Sequence, residues 1–338
     1  MKKSKLTYIA LLLCISNLFS QEITGVVLNK KNNLPLEGAT IYFDNTTKGT
    51  ISNSKGFFSL DFDSSLNTPL IVSFLGYKKK TVTNYNSNTP LKIYLEEDVS
   101  ALSEVFLSSE DEWSRAYKLN QFKTHFLGVS ENAKSCKILN EDALVLKFIK
   151  SEKQLVAIAK KPLIIVNNNL KYQINYELQD FEVKYTSDGD AGPYIATSVY
   201  YAGTSYYKSE GDDKQRILKR RGKVYKGSVL HFMRALLKGK LKDQGYRIIY
   251  DKRDVPPENF ISIYATDTPL IYKVRLFKPL IVVYDNNVSR QSSIKTLGTY
   301  FYIDSYGNHS PVNEVIFTGH FGNQRMGDTL PLDYESNF

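Results

Sequence analysis

The fold of the first part of the chain is decided by the stretch EITGVVLNKKNNLPLEGATIYFDNTTKGTISNSKGFFSL, residues 22–60. Short runs of β-branched and aromatic residues alternate here with turn residues. Asn53-Ser54-Lys55-Gly56 is typical of a tight turn between two strands. The pattern continues in three further runs, Leu70–Phe74, Lys79–Thr83 and Leu91–Leu95. About seven short strands with no helical period predict a β-sandwich over residues 22–95.

The same stretch resembles a known family. The residues that carry the resemblance are Gly25-Val26-Val27, Leu34-Pro35-Leu36-Glu37-Gly38-Ala39-Thr40-Ile41, Gly49-Thr50, Ser54-Lys55-Gly56-Phe57-Phe58 and Phe74-Leu75-Gly76-Tyr77. In this order and spacing they are similar to the carboxypeptidase-D regulatory-like domain of Bacteroidota. The resemblance implies a seven-stranded transthyretin-like β-sandwich, common in secreted and outer-membrane proteins. In the family, this domain accompanies metallocarboxypeptidases or precedes the plug of TonB-dependent receptors.

Neither of those two functions is expected here. A zinc carboxypeptidase needs a His and a Glu three residues apart, because both must reach one metal ion. None of the four histidines is followed at that spacing by a glutamate; the residues found there are Gly128, Arg234, Val312 and Asn323. The roughly 230 residues that follow the first domain are too few for a receptor's plug and channel. We therefore expect no metal site and no cofactor.

The N-terminal residues predict export. Lys2, Lys3 and Lys5 precede an apolar stretch from Leu6 to Phe19, which is the pattern of a signal peptide over residues 1–20. An anchor helix and lipidation at Cys14 are the alternatives, although Leu13 is not the small residue that lipidation usually requires. Export predicts a periplasmic or outer-membrane-associated protein, or one at the cell surface.

The charge balance, the cysteine content and the length of the apolar runs limit which disulfides, reactive thiols and membrane spans the chain could contain. The chain has 44 Lys and Arg against 35 Asp and Glu, and three of the lysines belong to the leader. Without the leader, Cys136 is the single cysteine, so no internal disulfide is expected, and its alternating context favours a buried thiol over a nucleophile. The mature chain contains no run long enough for a transmembrane helix.

The rest of the chain predicts a second, larger domain. Residues 96–111 are rich in acids and serine, which predicts a linker. Residues 112–338 are predicted to form one antiparallel β-rich α+β domain. Ser109 and Glu112 have the spacing of a capping box, so a helix is predicted over about 110–126. A second helix is predicted at about 228–242, with Ser228 as its N-cap. The overall class is therefore mainly β.

The second domain also resembles the remainder of that Bacteroidota family. The residues concerned include Phe126-Leu127-Gly128, Ser135-Cys136-Lys137-Ile138-Leu139-Asn140, Pro162-Leu163-Ile164-Ile165, Tyr172-Gln173-Ile174-Asn175-Tyr176 and the stretch from Tyr225 to Leu236. Members are called carboxypeptidase-like regulatory domain-containing proteins after their first domain. The resemblance implies no particular activity for this second part.

The densest basic run predicts a binding site. Residues 219–226 read as a loop before the second helix, and its cations could meet the phosphates of lipopolysaccharide or anionic lipid. A solvated loop without a ligand is the alternative. His231 and Arg234 lie three residues apart on one helix face. The complete set of candidate binding residues is Arg220, Arg221, Lys223, Lys226, His231 and Arg234.

Two functions follow from these patterns. The first is an exported, non-catalytic protein of the cell envelope that binds or scaffolds a protein, glycan or lipid partner; the export signal argues against nucleic acid. The second is a hydrolase of envelope polymers with His231 as its base. The sequence lacks a Gly-x-Ser-x-Gly elbow, a phosphate-binding loop and a zinc motif, so it favours the first.

Overall fold

The computed structural model describes residues 21–62, 66–98, 112–187, 192–211 and 214–335. The predicted signal peptide with Cys14, and most of the predicted linker with Ser109, lie outside these described residues. The structure is mainly β, with 45% of the residues in strands and 19% in helices, which confirms the class predicted from the sequence.

The N-terminal part is a sandwich of seven strands, as the sequence predicts. The strands are β1 (Gln21–Asn29), β2 (Thr40–Phe43), β3 (Gly49–Ile51), β4 (Phe57–Phe62), β5 (Leu70–Ser73), β6 (Lys80–Val82) and β7 (Leu91–Leu95). One sheet has the order β4-β1-β7 and the other β3-β2-β5-β6. From Ile23 onward, every second residue of β1 is buried, because side chains of a strand alternate between its faces.

A second hydrophobic cluster consists mainly of residues within 113–207, with Val224, Met326 and Leu330 added from later in the chain. Here helix α1 (Arg115–Phe126) packs Phe122 and Phe126 against a six-stranded antiparallel sheet. The short helix α2 (Glu131–Lys134) follows α1 in the chain. The strands are β8 (Cys136–Ile138), β9 (Leu144–Ile149), β10 (Gln154–Ala159), β11 (Leu163–Asn167), β12 (Tyr172–Thr186) and β13 (Ile195–Ser209).

A third cluster follows, built on two sheets and on the helices α4 (Val229–Leu237) and α5 (Gly319–Asn323). Helix α3 (Gln215–Tyr225) precedes α4 and packs Val224 against the second cluster instead. The strands are β14 (Tyr246–Tyr250), β15 (Arg253–Val255), β16 (Ile261–Ala265), β17 (Ile271–Leu276), β18 (Leu280–Tyr284), β19 (Asn287–Thr296), β20 (Phe301–Asp304), β21 (His309–Ser310) and β22 (Val315–Thr318). Their orders are β15-β14-β18-β19-β22 and β16-β17-β20-β21. The region predicted as one β-rich domain thus contains two hydrophobic clusters.

Two predicted local features are wrong. Residues 215–225 form a helix, not a loop, because Ile217, Arg221 and Tyr225 recur one helical turn apart and are all buried. Helix α1 begins at Arg115, and its N-cap is Ser114, whose side chain accepts a hydrogen bond from the Tyr117 N–H. Glu112 precedes that cap, so the predicted capping box is not the start of this helix. Ser228 caps α4 as predicted.

Candidate functional site

Helix α3 divides its basic residues between two faces. Arg221 is 2% exposed and points to the protein interior. Arg216, Lys219 and Lys223 are exposed at spacing i, i+3 and i+7, so they share the opposite face, and the exposed Lys226 follows the last helical residue. We call these four residues the basic face. The helix sequence QRILKRRGKVY contains no acid that could neutralise it.

The buried Arg221 has a structural role. Its guanidinium donates hydrogen bonds to the carbonyl oxygens of Leu170 at 2.8 Å and Lys171 at 3.0 Å. It also lies over the ring of Tyr172, 3.8 Å from the ring centre. Arg220 is half-buried, and its nearest backbone acceptor is the Asn169 oxygen at 3.4 Å. These contacts fasten α3 to the turn between β11 and β12, so Arg221 faces away from solvent ligands.

The basic face is open to solvent. Among the ion pairs between described residues, none includes Arg216, Lys219 or Lys223. Three unpaired cations on one side of a helix attract anions more strongly than separate cations, because their potentials add. Two of the residues predicted to bind, Lys223 and Lys226, belong to this face; the sequence reasoning did not select Arg216 and Lys219.

His231 is a buried residue of α4 and has no free ring nitrogen. It is 4% exposed. Its Nδ1 accepts a hydrogen bond from the Gly227 N–H at 3.1 Å, and its Nε2 lies 2.9 Å from Oε1 of Gln244. Burial lowers the pKa of His231, against the hydrogen bond to Gln244. The neutral, fully bonded ring is structural, which leaves the hydrolase alternative without its proposed base.

Arg234 holds the C-terminal segment. Its three guanidinium nitrogens donate to three backbone carbonyls, those of Tyr306 at 2.8 Å, Tyr334 at 2.8 Å and Leu332 at 2.6 Å. Two of these acceptors belong to residues 332–334, which we call the C-terminal segment. Because all three nitrogens are engaged, Arg234 fixes the end of the described chain onto α4 rather than presenting a charge to a ligand.

The same C-terminal segment reaches the sandwich. The Leu332 N–H donates to the Asn45 carbonyl at 2.7 Å, and the Thr47 N–H donates to Asp333 at 2.9 Å. Residues 44–47 of the sandwich also pair with β13, where the Asn45 N–H donates to the Ser205 oxygen at 2.8 Å. We call this set of contacts the junction. Its backbone hydrogen bonds join the sandwich to β13 of the second cluster and to the C-terminal segment, which Arg234 in turn holds to α4 of the third cluster.

Asp44 is a buried carboxylate within the junction. One carboxylate oxygen accepts the Ser205 N–H at 2.8 Å. Burial raises the pKa of Asp44 to about 6, although hydrogen bonds from Ser205 and Asn45 act in the opposite direction. The ring of Tyr206 covers Gly49, where a Cβ would lie only 2.5 Å from the ring. Gly49 therefore allows the sandwich and β13 to approach closely.

The described part of the chain includes two sizeable clefts. One, of about 670 Å³, lies between the C-terminal end of α4 and the strands β14 to β16. The other, of about 420 Å³, lies between the sandwich and the sheet containing β20. Its lining consists largely of amide, hydroxyl and carboxyl groups: Asn67, Thr68, Pro69, Thr83, Asn84, Ile271, Tyr302, Ile303, Asp304, Asn308 and Ser310. We call the second one the polar cleft; no motif in the sequence pointed to it.

Among the described residues, neither a metal-binding cluster nor a thiol of lowered pKa is found. Within the described residues, no group of three or more His, Cys, Asp or Glu could hold a metal ion. Cys136 is half-buried, and its thiol lies 3.3 Å from the Asn132 oxygen. Burial raises the pKa of this thiol to about 12, so it carries no thiolate at neutral pH. No helix in the described ranges is both long and apolar enough to span a bilayer.

Comparison with known proteins identifies the first domain. Residues 23–107 match the family model of the CarboxypepD_reg-like domain, so this part of the expected resemblance is confirmed. A segment of 92 residues is 35% identical to TonB-dependent receptor P26 of Formosa agariphila. It covers 27% of this chain and only 9% of that receptor. The family resemblance of the second domain stays a prediction.

Solved structures give only distant likenesses. A type II cohesin–X-dockerin complex from Acetivibrio cellulolyticus matches 24% of this chain and 61% of its own, at 16% identity and a TM-score of 0.21. A 9R-lipoxygenase from Cyanothece matches 65% of this chain and 45% of its own, at 9% identity and a TM-score of 0.17. TM-scores of this size do not establish a shared fold.

Proposed function

We propose that this protein is an exported, non-catalytic binding module of the cell envelope, and that the basic face of α3 is its contact with an anionic membrane surface. The observation that carries the proposal is the division of α3 into two faces. Arg221 is used for folding, whereas Arg216, Lys219, Lys223 and Lys226 project to solvent from a helix without acids.

The CarboxypepD_reg-like domain and the similarity to a TonB-dependent receptor support a place in the envelope. The signal peptide predicted over residues 1–20 agrees with that place. The junction supports a scaffold role, because backbone hydrogen bonds hold the sandwich against β13 and against the C-terminal segment. A partner bound by the sandwich would then be held at a fixed position relative to α3.

The size of the expected attraction follows from the number of cations. Each Lys or Arg close to an anionic membrane surface contributes about 1 kcal/mol. Arg216, Lys219 and Lys223, which form no ion pair between described residues, therefore supply about 3 kcal/mol, which corresponds to binding in the millimolar range without further contacts. Such binding is peripheral and weakens steeply as salt screens the charges.

The test is binding of the full chain to lipid vesicles. One set of vesicles contains phosphatidylglycerol mixed with phosphatidylcholine, and the other contains phosphatidylcholine alone. We expect binding to the anionic vesicles at low salt, with most of it lost near physiological ionic strength. Equal binding to both vesicle types, or binding that does not depend on salt, would contradict the proposal.

A further inference from the structure

The polar cleft lies against one side of the outer face of the sheet β16-β17-β20-β21, and β17, β20 and β21 contribute to its lining. Phe301 and Ile303 point into the core, so Tyr302 and Asp304, which alternate with them, belong to the other face. The strand register places Tyr264 beside Lys273, Lys273 beside Tyr302, and Tyr302 beside Ser310. One row of side chains thus crosses all four strands, with one exposed tyrosine on each side of a lysine.

Cations lie among the rings of this face. The Lys273 ammonium lies 3.6 Å from the centre of the Tyr300 ring, and the Arg275 guanidinium lies 6.0 Å from the same ring. Neither residue takes part in an ion pair between described residues. The face therefore combines flat aromatic surfaces with two positive charges that have no acidic partner there.

The wall of the cleft belongs to the sandwich. Asn67, Thr83 and Asn84 are exposed loop residues that line it, and they supply amide and hydroxyl groups that both donate and accept hydrogen bonds. The lining thus comes from both the sandwich and the sheet β16-β17-β20-β21, so neither part alone would form the cleft.

Asp304 lies at the inner end of the cleft with an unused acceptor. It is 3% exposed. Its Oδ1 accepts the N–H groups of Tyr306 and Asn308, each at 2.9 Å, whereas its buried Oδ2 has no hydrogen-bond partner among the described residues. A buried carboxylate oxygen without a donor costs stability.

We propose that the polar cleft binds an acidic polysaccharide. Pyranose rings present flat C–H faces that pack against aromatic rings such as Tyr302 and Tyr264. Their hydroxyl groups match the amides of Asn67 and Asn84. Uronate carboxylates along the chain would pair with the cations of the outer face. This inference goes beyond the proposed membrane contact and uses none of its residues.

Three probes separate the elements of this recognition in titration calorimetry with the full chain. Alginate oligosaccharides carry both sugar rings and carboxylates, dextran oligosaccharides carry rings alone, and polyglutamate carries carboxylates alone. We expect binding of alginate that exceeds binding of the other two. Equal binding of polyglutamate would show that charge attraction alone explains the binding. Equal binding of dextran would show that Lys273 and Arg275 do not contribute to it. Either result, or no binding of alginate, would overturn the proposal.

Variants test both walls of the cleft. Tyr302 is 40% exposed, and the matched control is Tyr200, which is 41% exposed on β13. We expect Tyr302→Thr to weaken alginate binding about tenfold, the loss that corresponds to one aromatic stacking contact, and Tyr200→Thr to leave it unchanged. The double variant Asn67→Ala/Asn84→Ala should also weaken it, while changing only exposed loop residues.

The two proposed sites can fail separately. The pair Lys219→Gln/Lys223→Gln should retain alginate binding, and Tyr302→Thr should retain binding to anionic vesicles. Unfolding curves identical to wild type would show that the variants are folded. If Tyr302→Thr and Tyr200→Thr reduce alginate binding equally, or if only the lysine pair reduces it, the cleft is not the polysaccharide site.

Discussion

Replacing Arg221 with glutamine should destabilise the protein, whereas the same change at Lys223 on the same helix should not. Arg221 is fully buried and donates to the carbonyls of Leu170 and Lys171. Removing the guanidinium leaves these two carbonyl oxygens without its donors, and each buried acceptor left without a donor costs about 1–3 kcal/mol, so the expected loss is about 2–5 kcal/mol. Lys223 is exposed, so its replacement should change the free energy of unfolding by about 0.5 kcal/mol or less.

Urea unfolding measured by tryptophan fluorescence is a suitable assay. The single tryptophan, Trp113, stacks on Phe148 at 3.8 Å in the same cluster that contains Leu170 and Tyr172. Loss of the Arg221 contacts should therefore shift the fluorescence transition to lower urea. Equal shifts for Arg221→Gln and Lys223→Gln, or no shift for Arg221→Gln, would refute the division of α3 into a structural face and a free face.

Three further predictions concern the contacts between the parts of the chain. Burial raises the pKa of Asp304 to about 6, so the folded state binds its proton more tightly than the unfolded chain, and ionisation costs stability as pH rises. The free energy of unfolding of wild type should therefore fall by about 1.4 kcal/mol between about pH 5 and about pH 8, whereas that of Asp304→Asn should not fall for this reason. Urea unfolding of both proteins at several pH values measures this, and a difference between them that does not change with pH would contradict it. Arg234→Gln should release the C-terminal segment, seen as faster hydrogen exchange at the Leu332 amide with sandwich protection unchanged. Gly49→Ala should lower thermal stability by about 1–3 kcal/mol, because its Cβ would meet Tyr206; an unchanged midpoint would show that the ring moves aside at no cost.

The sandwich could be predicted because its signals are local. The turn at Asn53–Gly56 and the alternation in β1 are both contained in short stretches of sequence. In the structure, Asn53 Oδ1 accepts the N–H groups of Lys55 and Phe57, and Gly56 has a positive φ of 71°. A single sequence records such turn chemistry directly.

Helix α3 could not be recognised in the same way. Arg221 is buried through contacts with residues 50 positions earlier in the chain, and Gly222 within a basic run is more typical of a loop. Strand β19 is a similar case: its sequence NVSRQSSIKT is mostly polar and does not itself predict a strand, and its pairing with β18 and β22 supplies the stability. Tertiary contacts override local preference at both places.

The candidate sites show the same limit. Lys223 and Lys226 are exposed, Lys223 on a helix and not on the predicted loop, and their role in binding stays a prediction. Arg221, His231 and Arg234 were selected for their chemistry, but each has its polar atoms bonded within the fold. The polar cleft joins Asn84 to Tyr302 across more than 200 positions of sequence, so no motif of adjacent residues could reveal it.

The proposal that the basic face contacts an anionic membrane is tested most directly by comparing two pairs of lysines in one vesicle-binding assay. Lys219→Gln/Lys223→Gln removes two charges from the basic face, and Lys31→Gln/Lys55→Gln removes two from exposed turns of the sandwich. At about 1 kcal/mol for each charge, the first pair should weaken binding to phosphatidylglycerol vesicles about 30-fold. The second pair should change it less than about twofold. Equal losses for the two pairs would show that net charge alone, and not the arrangement on α3, attracts the protein to the membrane.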